Sequence, residues 1–274
     1  MILVFCVNLF NFLRGLILIK TNRYSPHQYY NLNKCVNYNM YTAIIIEPRK
    51  HKAIEFVLNN ICECLSDEWE VILFHGTTNA DYVTKIVTRF ENRVKLVGLN
   101  VENLDITEYS RLLATKSVIY DYILSDIFLV FQTDSMILPA NKQIINEFLN
   151  YDYVGAPWLA TNYPLTKNSS FIGNGGFSLR RKSKMLEIVE KIEWNKANEF
   201  KECYYSNIYE DLYFCTNYDN IVVNKPEYQK ALTFCVDEVF NEAPFGCHKP
   251  WTHSHYEQLV NLYPEIKTLR DLQD

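Results

Sequence analysis

The sequence predicts an α/β fold, a mostly parallel sheet flanked by helices. Two observations carry this. Four short aliphatic or β-branched runs lie between residues 42 and 131, and stretches with apolar residues at helical spacing separate them. Strands that alternate with helices in this way build a parallel sheet covered on both faces, and such sheets bind ligands at the carboxyl ends of their strands.

The elements follow in order. Residues 42–46 form a strand stopped at Glu47-Pro48-Arg49, because proline has no N–H with which to continue a ladder. Over residues 50–65, Ile54, Val57, Leu58, Ile61 and Leu65 fall on one stripe of a helix. Residues 70–75 give a second strand, closed by Gly76. Helical spacing resumes over 80–90, residues 94–97 give a third strand, and 106–125 read as one or two helices. Residues 127–131 are the fourth strand. The second half changes character, with aromatics, glycines and short motifs spread through 151–255. No proline-rich or serine-rich linker separates the halves, so one domain is expected over residues 41–256, with 257–274 as a short helix and an exposed terminus.

Composition narrows the function. The 27 basic and 32 acidic side chains leave a net charge of -5, which argues against a general nucleic-acid binder. With 20 Tyr and 16 Phe, the chain fits a thick mixed core and a site that stacks on rings or sugars. Eight cysteines are scattered without a Cys-x-x-Cys pair, so zinc-ribbon spacing is absent and mostly buried thiols are expected. A disulfide among Cys203, Cys215, Cys235 and Cys247 suits only a lumenal domain.

Residues 1–20 are strongly apolar, but Asn8, Asn11 and Arg14 interrupt them. An Arg near the centre of a spanning helix costs about 2.5 to 3.5 kcal/mol. No basic region precedes the run and no small-residue cleavage site follows it. A signal anchor, an interfacial helix and a plain extension all stay open, as does localisation, cytoplasmic or membrane-associated. Residues 21–40 read as a linker or stem. Asn168-Ser-Ser is a glycosylation sequon that matters only on the secretory route.

Several positions carry chemistry. Asp134, in Gln132-Thr133-Asp134-Ser135, follows a buried strand, where one carboxylate can hold a divalent cation against a diphosphate; a turn aspartate explains it equally well. In Tyr151–Trp158, a Gly-Ala-Pro turn presents Trp158 either to the core or as a wall beside a sugar or acceptor. Three of the chain's 8 glycines fall within residues 173–176, where the backbone must approach something closely or adopt positive φ. Neither a dinucleotide fingerprint nor a P-loop is present. Glu210 and Asp211 precede an aromatic helical turn. There they complement the helix dipole, or one of them points into a cleft as a general base. His248, held in a Pro-Gly turn, suits a second metal ligand or a phosphate contact.

Taken in order, QTDS (132–135), YDYVGAPW (151–158), GNGGFSLR (173–180), Glu210-Asp211 and HKPW (248–251) resemble a family of predicted glycosyltransferases known as a domain of unknown function. The resemblance extends to Glu47-Pro48-Arg49 and covers roughly residues 41–255. It implies a GT-A-like fold. More distantly, the order of metal-binding Asp, Gly-Gly loop, Glu-Asp and late His is similar to Fringe-type and β-1,3-galactosyltransferase enzymes, which are inverting.

Carried over by position, the resemblance implies Asp134 and His248 as ligands of Mn²⁺ or Mg²⁺, and Asp211 as catalytic base beside Glu210. It implies donor contacts at Glu47, Arg49, Gln132, Thr133, Asn174, Gly175, Gly176 and Lys249, and acceptor contacts at Trp158 and Trp251. The sequence departs from the pattern at Gln132, where the first Asp of an Asp-x-Asp motif is expected. The implied partners are a nucleotide-sugar donor, with UDP as the guess by analogy, and a glycan, protein or lipid acceptor. Membrane association through residues 1–20 stays open. Two rival readings are a binding module that has lost catalysis, motivated by Gln132, and a zinc-dependent hydrolase built on Cys247, His248, His253 and His255.

Overall fold

Aliphatic runs that bury both faces make the centre of the molecule. A computed structural model describes residues 40–159, 171–194 and 209–273. In it β1 (Tyr41–Ile46), β2 (Trp69–His75), β3 (Val94–Gly98) and β4 (Ile127–Phe131) run parallel. Between them lie α1 (Ile54–Cys64), α2 (Ala80–Val87), α3 (Ile106–Leu113) and α4 (Val118–Tyr122). The expected alternation is therefore present, and residues 106–125 resolve as two helices. Asp105 starts α3 with a capping box, its carboxylate accepting from the N–H groups of Thr107 and Glu108 while Glu108 reaches back to the Asp105 N–H.

The second half adds β5 (Ser135–Ile137), β6 (Tyr153–Val154), β7 (Phe177–Arg181), α5 (Lys182–Lys191), α6 (Glu210–Cys215), α7 (Tyr228–Ala231), β8 (Cys235–Val236), β9 (Gly246–His248), α8 (Tyr256–Leu262) and α9 (Glu265–Asp271). The main sheet has the order β3-β2-β1-β4-β7-β6, with β7 antiparallel to β4 and β6. A small sheet, β5-β9-β8, pairs Ser135 with His248 and so brings the loop after β4 next to the late histidine.

Alternation along the strands divides the core. Ala43, Ile45, Leu73 and Leu129 pack on one face with Val57 and Leu58 of α1 and Val83 of α2. Ile44, Ile46, Phe74 and Phe128 pack on the other with Ile119 of α4, Met185 of α5 and Phe214 of α6. Each of these side chains larger than alanine contributes about 1.5 to 3 kcal/mol when fully buried, so the sheet is the rigid base of the molecule.

Two buried asparagines fasten the loops above it. Asn60 on α1 donates to the Ile137 carbonyl and accepts from the Ile137 N–H, both at 2.8 Å, fixing β5. Asn79 donates to the carbonyls of Glu47 and Arg49 and accepts from the Gly76 N–H. The loop after β1 is thereby tied to the end of β2.

One expectation is corrected. Residues 257–274 are not a short helix with an exposed terminus. They contain most of α8 and all of α9, and Leu259, Ile266 and Leu269 are buried in the same core face as α1. Their apolar positions recur at helical spacing, and the second helix buries the stretch expected to be an exposed terminus. The apolar segment 1–20, the linker 21–40 apart from Met40, the sequon at Asn168, and Cys6, Cys35 and Cys203 lie outside the described residues. Among the described residues no helix is long and apolar enough to cross a membrane. Cys64, Cys215, Cys235 and Cys247 are buried, as expected of core thiols, and burial pushes the Cys62 and Cys64 thiols up to about 11.

Candidate active site

The loops at the carboxyl ends of β1 and β4 share one edge of the sheet because these strands are parallel neighbours. They border a cleft of about 230 Å³, lined by Glu47, Pro48, Arg49, Thr133 and Asp134, with residues 103–106 of the loop into α3 opposite. A second cleft of about 200 Å³ lies beside it, lined by Asn174, Gly175, Gly176, Glu210, Asp211 and His248. Ile106, Tyr109, Gln132 and Lys249 line both, so the two meet along a seam. All the predicted catalytic, metal and donor residues border one cleft or the other.

On the first side, Glu47 is buried and grips Arg49 with both oxygens at 2.8 Å, leaving much of the guanidinium exposed to the cleft. That hydrogen bond raises the Arg49 pKa, so its charge is permanent. Asp134 reaches Lys249 Nζ at 3.1 Å and faces His248 Nε2 at 3.4 Å. Burial alone would raise the Asp134 carboxyl, but His248 and Lys249 hold it well below its ordinary range. His248 shows the reciprocal effect: burial opposes its charge, yet Asp134 and Asp237 lift it to about 9.

His248 is fixed from behind. The Asn174 amide lies 3.0 Å from its Nδ1 and 2.6 Å from Asp237 Oδ2, and Asp237 Oδ1 accepts from His253 Nε2 at 3.2 Å. Asn174 takes a left-handed φ of 67°, and its Oδ1 accepts from the Gly176 N–H. The glycines serve close approach rather than positive φ. A Cβ on Gly175 would lie 2.2 Å from Glu210 Oε1, and one on Gly176 would lie 2.2 Å from His248 Nε2.

On the second side the adjacent acids diverge. Glu210 is buried against Arg180, which is fully buried, with Nη2 2.7 Å from Oε1. Glu210 Oε2 accepts from the Asp211 N–H at 2.5 Å. Asp211 is only half-buried and borders the cleft. One carboxylate is thus locked against Arg180, while the other, whose Oδ1 accepts from the Leu212 N–H at 2.7 Å, borders the cleft.

Four buried side-chain atoms around these clefts make no hydrogen bond of good geometry: Asp134 Oδ1 and His248 Nε2, which are ion-paired with each other at 3.4 Å, Tyr109 Oη, which has the Gln132 side chain near it, and Arg180 Nη1. Orphaned buried polar groups are costly and mark places where something else binds. Asp134 Oδ1 and His248 Nε2 face each other, and a carboxylate with an imidazole is a donor set that suits a divalent cation such as Mn²⁺. Among the described residues no group of three His, Cys, Asp or Glu is placed to hold a metal, so any such ion would take its remaining ligands from a bound molecule or water.

This arrangement goes against the zinc-hydrolase reading. Cys247 is buried in the core face opposite its neighbour His248, and His253 and His255 stack on each other at 5.5 Å. Trp158 is also corrected as an acceptor wall: its indole is buried in the core and closes over Gly173. Trp251 is partly buried against the other core face and lines neither cleft.

Three residues of the site were missed in the sequence. Asp237 follows the short buried strand β8, the same signal that marked Asp134. Arg180 is a charge within an apolar strand, and its partner Glu210 lies 30 positions away, which no local pattern reveals. Tyr109 falls within residues 106–125, which the sequence marks only as helical.

Comparison with known proteins follows this geometry. A family model matches residues 93–248, more than half of the chain, and its family is described as Protein of unknown function (DUF5672). The chain belongs to that family. No curated protein matches it. Among solved structures, this DUF5672 protein is similar to the mannosyltransferase PcManGT from Pyrobaculum calidifontis in complex with GDP-Man and Mn²⁺. The identity is 14%, covering 67% of this chain and 55% of that one, with a TM-score of 0.42. The apo-form glycosyltransferase GlyE of Streptococcus pneumoniae TIGR4 gives 13% identity, 76% and 54% coverage and a TM-score of 0.47. HddC from Yersinia pseudotuberculosis gives 12% identity, 69% and 89% coverage and a TM-score of 0.40. The chain spans about half the length of the first two.

Proposed function

We propose that this DUF5672 protein moves a sugar from a nucleotide-sugar donor to an acceptor hydroxyl, as a metal-assisted, inverting glycosyltransferase. The observation that carries the reading is the pair of adjoining clefts, with Arg49 and Asp134 lining the first, His248 and the carboxylate Asp211 lining the second, and Lys249 on the seam, so that the Asp134–His248 pair bridges the two.

The first cleft takes the nucleoside, and its diphosphate lies toward Arg49 and Lys249, whose positive charges favour the leaving group as it departs. Asp134 and His248, the latter after giving up its proton, would hold Mn²⁺ or Mg²⁺, which when bound would neutralise charge on the diphosphate. Asp211 takes the proton of the acceptor hydroxyl while that oxygen attacks the anomeric carbon from the face opposite the nucleotide. Arg180 keeps Glu210 in place, and Glu210 in turn holds the Asp211 N–H, which fixes the start of α6. Alignment of the two sugars and exclusion of water supply the rest of the acceleration.

The test is release of nucleoside diphosphate from UDP-glucose, UDP-galactose, UDP-N-acetylglucosamine and GDP-mannose. It is run with Mn²⁺, with Mg²⁺ and with chelator, beside Asp134→Ala. Metal-dependent turnover of one donor, lost in the variant, is the expected result. Absence of binding to every donor, with or without metal, would sink the reading.

A further inference from the structure

Tyr109 is the polar group on the seam that the chemistry above leaves unused. It lies on α3 and lines both clefts, and its hydroxyl is buried, with the Gln132 side chain near it but no hydrogen bond of good geometry. A hydroxyl taken out of water without a well-placed partner loses free energy that an arriving polar group returns. The chemistry of the surroundings narrows what that group is. Burial raises the phenol well above its ordinary range, and Glu210 adds to this, so the group stays a neutral O–H donor.

A phosphate is a poor occupant of this spot. Glu210 repels it, while Arg49, which lines the first cleft alone, offers it a positive charge away from that carboxylate. A neutral hydroxyl fits, because it can accept from the Tyr109 O–H and at the same time donate to Glu210 or to the Gln132 carbonyl oxygen. The second orphan on this side, Arg180 Nη1, lies behind the same carboxylate. On the reading proposed above, the seam between the diphosphate end and Asp211 is where the transferred ring lies, and this inference rests on that reading.

We propose that Tyr109 binds a ring hydroxyl of the donor sugar and so helps to select which sugar is transferred. Tyr109→Phe tests this, because it keeps the ring and removes one oxygen. Calorimetric titration of wild type and variant would use UDP and GDP, and the four sugar nucleotides named above. For each donor that the wild type binds, the variant is expected to bind the sugar nucleotide about tenfold more weakly, while its affinity for the matching free diphosphate stays within about twofold. The melting temperature of the ligand-free variant should be unchanged or slightly higher, since a poorly paired buried hydroxyl has been removed.

Equal weakening of the sugar nucleotide and the free diphosphate would overturn the proposal, placing Tyr109 on the nucleotide. Undiminished binding of the sugar nucleotide, or a clear fall in the ligand-free melting temperature, would also overturn it. In each of these outcomes the wild type still binds a donor, so the function reading survives. A wild type that binds none of the donors removes both.

Discussion

Two loops face each other across the seam, and they are held by opposite means. In the loop over residues 132–135, hydrogen bonds occupy the backbone. Ser135 Oγ pairs with both the N–H and the carbonyl of Gln132, Gln273 Nε2 donates to the Thr133 carbonyl, and the Lys249 N–H donates to the Asp134 carbonyl. The loop over residues 173–176 is shaped instead by lack of room, with Glu210 and His248 pressed against positions that have no side chain. The first loop should therefore tolerate side-chain changes except at Asp134 and Ser135, because several separate bonds hold its backbone. The second should tolerate almost none, because a single methyl displaces a functional group.

The largest expected effect comes from the ion pair behind the glycine loop. Arg180→Met leaves the Glu210 carboxylate buried and unpaired, and stability should fall by about 3 to 5 kcal/mol in urea melts. A loss below about 1 kcal/mol would mean that the pair does not support the glycine side. Next, Gly176→Ala should cost about 100-fold in transfer, because a shift of roughly 1 Å at a reacting group has that scale. Thr133→Ser, which removes one methyl from the first loop, should be nearly silent. Equal effects at the two positions would erase the contrast between the loops.

Acidity gives a smaller effect. In chelator, the His248 proton is bound more tightly in the folded than in the unfolded chain, since its pKa is raised to about 9. The stabilisation is full below the ordinary histidine value, about 6.5, and is lost as pH rises through about 9. Asp134 is held below its ordinary value, so its contribution is present above the ordinary carboxylate range and lost on acidification. The melting temperature should therefore decline from about pH 6.5 to 9, and Asp134→Asn should flatten most of that decline. The smallest effect is expected at the far end of the chain. Gln273→Leu removes one of several bonds to the first loop and should cost about 1 kcal/mol or less, with donor binding nearly unchanged. A large loss of donor affinity would show that the loop hangs on α9 alone.

The first half of the fold was legible because its signals are local. β1 to β4 are short apolar runs with marked ends, and the helices between them carry their stripes in plain view. The strand β7 was not read as one, because Phe177–Arg181 mixes apolar and charged residues according to two different faces, and its pairing with β4 spans about 50 positions. The small sheet β5-β9-β8 is made of two- and three-residue strands, too short for any period to show. The candidate site was legible wherever an acid or glycine stands at the end of an apolar run, as at Asp134 and Gly175-Gly176. It was illegible where the meaning lies in a distant partner, as for Arg180 with Glu210 and Asp237 with His253. Trp158 misled because a proline-stiffened turn presents an indole as firmly to a core as to a cleft.

The most direct test of the account is Asp211→Asn, measured for donor affinity by calorimetry and for transfer with the donor that wild type turns over. The substitution keeps size and hydrogen-bonding capacity while removing the base. Donor affinity within about twofold of wild type, with transfer reduced at least about 100-fold, is the expected result. Full transfer by Asp211→Asn would contradict the division of the seam into a donor side and a base side.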